Sequence, residues 1–126
     1  MLLVRTKLGW DSVKGVCVLA DQRIVKGVTV TGHNPSWDRV FTWQEINRMP
    51  HYQKTFVEKL MYQYEFGNDE RYILPFGNEG YMNHSFEPSV NEQGVARYNI
   101  EIGEELTCDY TLLDSNCVKG SEPWLS

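Results

Sequence analysis

Turn signals cut this chain into segments too short for long helices or long strands, and that narrows its possible folds more than any other feature. Lys26-Gly27, Asn34-Pro35-Ser36, Gly67-Asn68-Asp69, Gly77-Asn78-Glu79-Gly80 and Asn91-Glu92-Gln93-Gly94 all put Gly, Pro or Asn where the backbone has to reverse. Most of what lies between them reads as strand. Val16, Val18 and Ala20 alternate with their neighbours, Ile24, Val28 and Val30 surround Lys26-Gly27, and Tyr72-Ile73-Leu74 follows the third turn. Val90 and Val95 flank the last turn as a tight hairpin. One stretch departs from this pattern. Thr42-Trp43-Gln44-Glu45 has the form of a capping box opening a short helix that Pro50 stops. Tyr52, Phe56, Val57, Leu60 and Met61 then recur at helical spacing. At Tyr62 the period changes, and Tyr62, Tyr64 and Phe66 alternate with Gln63 and Glu65 as in a strand. The expectation is a single domain over 1–126, mostly β, built of small sheets with a helical insert at about 42–61. Periodicity does not say which β-rich fold it is.

Composition removes several function classes. At 126 residues and 13% aromatic, the chain can bury about two-thirds of its unfolded surface and is not of disordered type. Its net charge of −5, from 12 Lys+Arg against 17 Asp+Glu, argues against direct nucleic-acid binding and favours basic partners. Cys17, Cys108 and Cys117 are odd in number and lack C-x-x-C spacing, so no disulfide framework or zinc site is expected. Arg5 and Lys7 interrupt the apolar start, and nothing approaches the ~20 apolar residues of a membrane span. An intracellular location is expected.

Two segments carry chemistry. Tyr81-Met82-Asn83-His84-Ser85-Phe86-Glu87-Pro88, the motif at 81–88, reads as an Asn-His pair at a strand end closed by a Ser-x-x-Pro turn. Gly103-Glu104-Glu105-Leu106-Thr107-Cys108-Asp109-Tyr110, the motif at 103–110, reads as a Gly turn into a strand ending on a tyrosine. The hairpin between them is short enough to bring Tyr110 near Asn83, and a polar tail, 111–126, follows. Glu104 and Glu105 read as solvated turn charges, Asp109 as a partner for a backbone amide, and Tyr64 and Phe66 as core. With Cys or Ser as nucleophile, His84 and Asp109 also allow a hydrolase reading, although no nucleophile elbow is present.

Together the two segments resemble the signature motifs of SET domains, the protein-lysine methyltransferases. Tyr62-Gln63-Tyr64-Glu65-Phe66 is similar to that family's Tyr-x-Phe strand, Gly77-Asn78 to the Gly-Asn before its Asn-His motif, and Lys14-Gly15-Val16 with Ile24-Val25-Lys26-Gly27 to its cofactor loop and following strand. The likeness is to minimal, stand-alone members such as the short SET proteins of viruses and bacteria. It implies a β-clip fold with knot-like C-terminal threading and transfer of a methyl group from S-adenosylmethionine to a lysine of a histone or other basic protein. In that scheme Tyr110 is the catalytic tyrosine. Lys14, Gly15, Tyr62, Tyr81, Asn83 and His84 bound the cofactor, and His33, Cys108 and Trp124 (or Leu125) bound the substrate channel. No metal, no nucleic acid and no membrane is implied; a homodimer and a cytoplasmic or host-nuclear location are compatible. The chain departs from the family pattern at Val13-Lys14-Gly15, where Gly-x-Gly is usual, and at Ser89, where Asn is usual after the Pro. The altered loop gives the alternative reading, a non-catalytic SET-like protein-binding module.

Overall fold

The computed structural model describes residues 1–66 and 69–113. Gly67, Asn68, Cys117, Trp124 and Leu125 lie outside the described residues, as do the side chains of Tyr64 and Phe66. Among the described residues the fold is a small mixed α/β arrangement of short strands and few helices.

Strands β1 (Thr6–Asp11) and β2 (Gly15–Ala20) form an antiparallel hairpin with Asp11 paired to Gly15. Asp11 makes its turn: Oδ1 accepts the N–H groups of Val13 and Lys14 at 2.8 and 2.9 Å. The segment after β2 turns at Lys26-Gly27 as expected, with Val28 N–H on the Val25 carbonyl at 3.1 Å, but its strand partner is not its own other arm. It pairs with the far end of the chain through the bridges Ile24 to Ile100 and Thr29 to Val95, with Ile24 and Ile100 exchanging 2.8 Å backbone bonds.

A second sheet has the order β3-β5-β4, all antiparallel, from β3 (Arg39–Phe41), β4 (Tyr62–Phe66) and β5 (Asp69–Leu74). Between β3 and β4 the helical insert is two helices, α1 (Trp43–Asn47) and α2 (His51–Leu60). The capping box forms as its spacing predicts, with Glu45 N–H on Thr42 Oγ1 and Thr42 N–H on Glu45 Oε1. Phe41, Ile46, Val57 and Tyr72 make the core of this half. Helix α2 buries only Val57 fully and leaves Tyr52 and Phe56 79% and 56% exposed. Helix α1 packs on β5, while α2 meets the 3₁₀ turn at Gly77–Tyr81, so the sheet does not cover the whole α2 stripe.

The larger core holds Val18, Ala20, Ile24, Val30, Met82, Val90, Ala96, Ile100, Leu106 and Cys108. It is crossed by a third, parallel pair, β6 (Asn83–His84) with β7 (Thr107–Cys108). The regular stretch expected to run to Tyr110 stops at Cys108. Asp109 Oδ1 accepts the Thr111 N–H at 2.9 Å, and Tyr110 opens α3 (Tyr110–Leu113) in place of ending a strand. Ser89, which follows the Pro of the 81–88 motif, is buried and clamps Thr107. It receives a hydrogen bond from Thr107 N–H on Oγ and donates its own N–H to Thr107 Oγ1. No helix among the described residues is long and apolar enough to cross a membrane.

The hairpin at 91–94 turns where the sequence expects, with Gly94 at φ +81° packed on Thr31. A Cβ there would lie 2.5 Å from Thr31 Oγ1 and 2.6 Å from its carbonyl oxygen, whereas one on Gly103, at φ +90°, would meet nothing within 4 Å. Gly103→Ala should therefore cost about 1 kcal/mol from left-handed strain alone. Gly94→Ala adds a backbone clash and should cost about 3 kcal/mol. Urea unfolding of the two variants side by side measures the difference.

Candidate active site

The parallel pair β6–β7 brings the two motifs into contact. Its register sets Asn83 against Thr107 and His84 against Cys108, and Ser85 N–H reaches the Cys108 carbonyl at 3.0 Å. The chain then bends so that Tyr110 N–H donates to His84 Nδ1 at 3.0 Å, and the Tyr110 hydroxyl donates to the Met82 carbonyl. Tyr110 is thus held at both ends by the Asn-His segment. With Nδ1 accepting, a neutral His84 ring carries its proton on Nε2. That atom is buried and has no hydrogen-bond partner among the described residues. The ring is enclosed by Phe86, edge-on at 4.3 Å between centroids, and by Tyr110 at 5.4 Å.

Asn83 faces the β1–β2 hairpin. Its Nδ2 donates to the Val16 carbonyl and to Glu105 Oε2, both at 3.1 Å, and its Oδ1 has no hydrogen bond among the described residues. Glu105, expected as a solvated turn charge, is half-buried and orients Asn83; its bridge to Leu19 puts it there, a pairing with no local sequence signal. Lys14 and Gly15 lie on this flank, both half-buried, and the charge of Lys14 is close enough to act on His84. An amide oxygen and an ammonium on one flank match the two ends of an amino acid, so the donor set fits the amino-acid moiety of S-adenosylmethionine.

The channel residues separate. Cys108 is buried behind Tyr110, and burial pushes its thiol up to about 12, with the fields of Glu79 and Asp109 adding to the rise. His33 lies elsewhere, its Nδ1 3.1 Å from Asp38 Oδ2. Asp38 was not legible as a site residue, yet its side chain is fully enclosed. Burial pushes its carboxyl up, but the N–H groups of Phe76 and Asn34, the Met1 ammonium and His33 together outweigh burial and hold it below the ordinary value. Glu79 belongs to the Asp38 group, since both carboxylates take the Met1 ammonium. Tyr81 packs on the same core as Tyr110, and Tyr62 opens β4, which runs beside α3.

No protein-family model matches the chain, and no curated protein matches it. Among solved structures, its fold is similar to the crystal structure of a Plasmodium falciparum protein described as a "putative histone methyltransferase". The TM-score is 0.58 over 98% of this chain and 99% of that one, at 18% sequence identity. At that identity the likeness is one of fold.

The geometry does not suit the hydrolase reading. Asp109 stands 3.7 Å from His84 Nδ1, which is already taken by the Tyr110 amide. Ser85 Oγ accepts the Glu87 N–H, and burial raises both Cys17 and Cys108 away from thiolate formation. Among the described residues no three His, Cys, Asp or Glu side chains are grouped as a metal site.

Burial holds His84 below its ordinary value, against the opposing pull of Asp109 and with the Lys14 ammonium adding to the depression. The unfolded chain therefore takes up this proton first as the pH drops below about 6.5. Stability should fall from there toward the folded-state value, by at most about 1.4 kcal/mol per pH unit. Thermal midpoints between about pH 7.5 and about pH 5.5 should show this slope, and His84→Asn, which keeps an acceptor for the Tyr110 amide, should flatten it.

Proposed function

We propose that this chain is a SET-type methyltransferase that transfers a methyl group from S-adenosylmethionine to a lysine side chain of a basic protein, with histones as the leading candidates. The observation that carries the reading is the double hold on Tyr110, whose amide lies on His84 and whose hydroxyl lies on the Met82 carbonyl. Support comes also from the fold shared with the Plasmodium protein and from the two signature segments. Knot-like threading of the C-terminal strand, a cytoplasmic or host-nuclear location and a homodimer belong to the same proposal.

S-adenosylmethionine, when bound, supplies a methyl group already activated on sulfur. Asn83 Oδ1 would hold its ammonium, and Lys14 with the Gly15–Val16 backbone would bound its carboxylate end. The remaining chemistry belongs to the protein. An attacking lysine must be neutral, although its free pKa is ~10.4. A poorly hydrated surrounding favours the neutral amine, and Cys108, locked as a thiol, adds no charge to oppose that. The Tyr110 hydroxyl donates to the Met82 carbonyl, and a phenol oxygen oriented in this way would suit weak C–H···O contact with a polarised methyl. The contribution of the protein is then alignment and dehydration, the source of large effective concentrations.

Transfer of isotopically labelled methyl from S-adenosylmethionine to mixed histones tests the reading. Label should appear on lysine, and Tyr110→Phe should lower the rate about a hundredfold with little loss of stability. Asn83→Ala should weaken cofactor binding roughly tenfold. Full activity in Tyr110→Phe would remove that residue from the mechanism. Absence of both transfer and cofactor binding would favour the non-catalytic binding module.

A further inference from the structure

One exposed patch takes no part in the site above. Trp37 and Phe76 are 59% and 51% exposed, yet their rings stay together, centroids 5.1 Å apart and tilted by 44°. They come from segments remote in sequence, and Asp38 joins those segments. Its Oδ2 takes the Asn34 N–H and its Oδ1 the Phe76 N–H, both at 2.8 Å, so one enclosed carboxylate braces the loop carrying Trp37 and the strand exit carrying Phe76. Negative charge is concentrated next to the pair. Glu79 lies by Asp38, and the α-ammonium of Met1 is drawn against both carboxylates and onto the Gly32 carbonyl. Two carboxylates, one ammonium and the His33 ring, whose Nδ1 lies 3.1 Å from Asp38 Oδ2, make up the charge beside the pair. Arg39, the nearest cation along the chain, is engaged over the Phe41 ring at 5.4 Å. Beside Phe76 opens a recess of about 230 Å³ bounded by Leu2, Val4, Gly77 and Asn78.

Exposed aromatic faces beside carboxylates attract guanidinium and ammonium groups. We propose that the Trp37–Phe76 pair docks a cationic side chain, arginine or lysine, flanking the acceptor lysine of the peptide substrate. The inference rests on the methyl-transfer reading for calling that peptide a substrate. The patch is tied to the site through backbone. The Glu79 carbonyl takes the Met82 N–H at 3.0 Å, and the Met82 carbonyl takes the Tyr110 hydroxyl. A side chain on the aromatic pair therefore stands one 3₁₀ turn (Gly77–Tyr81) from the Tyr110 contact.

The test measures affinity of the full chain, without cofactor, for two synthetic peptides that carry one lysine flanked by arginines or by glutamines. The unaltered protein should bind the arginine peptide about fivefold tighter or better. Trp37→Leu, which keeps an apolar side chain but loses the π-face, should abolish that preference and leave the thermal midpoint and cofactor binding unchanged. Equal affinity of Trp37→Leu and the unaltered protein for the arginine peptide overturns the proposal, and so does an unaltered protein that ignores the arginines. Self-association that Trp37→Leu abolishes with no change in peptide affinity would give the patch to a second copy of the chain, which also overturns it. Because affinity is read without turnover, failure of the methyl-transfer reading appears only in the label assay, and failure of the docking inference only in the affinity ratio.

Discussion

Residues 104–108 are gripped from both sides, and the rest of the molecule is arranged around that strip of backbone. On one side Ala20 N–H donates to Glu104 and Leu106 N–H to Val18; on the other Val90 N–H donates to Thr107 and Ser85 N–H to Cys108. A buried peptide group without a partner costs as much as a lost hydrogen bond, so each flanking segment has one register in which it can sit. Asn83 and His84 come from one flank, Val16 from the other, and Tyr110 stands just past the end of the strip. The site is where the three meet.

The centre of that meeting point is kept neutral. Burial favours the neutral forms of Cys108 and His84, while the charged groups stand around them: Asp109 beside the His84 ring, Lys14 and Glu105 toward the hairpin, Asp38 and Glu79 toward the Trp37 loop. In a medium of low dielectric, fixed charge at the rim acts strongly on whatever enters, and titration at the centre would disturb it.

Local features of the fold were legible in the sequence. The Thr42 capping box, helix α2, the switch to strand at Tyr62 and the turn at 91–94 each have a signature within a few residues, set by backbone propensity and spacing. Long-range pairing has no such signature. Nothing near Ile24 announces Ile100, and nothing near Glu105 announces Asn83. Helical periodicity marks Tyr52 and Phe56 as apolar but not how much sheet is present to cover them. In the candidate site, the Asn-His and Tyr110 segments stood out as motifs, and the structure sets them together. Asp38 did not stand out, because a lone Asp in a loop becomes a brace only once a distant strand exit supplies its second donor.

The strip at 104–108 also governs the order in which the molecule can assemble. Phe41, Ile46, Val57 and Tyr72 lie within one continuous stretch of the chain and can condense once Tyr72 has been made. Val18, Ala20, Ile24 and Val30 cannot, because the segments that cover them are synthesised last. During translation the N-terminal hairpin therefore waits with an apolar face and an open strand edge while the helical half folds beside it, a state prone to aggregation until the final strip arrives. Any fragment ending before Cys108 would remain in that state.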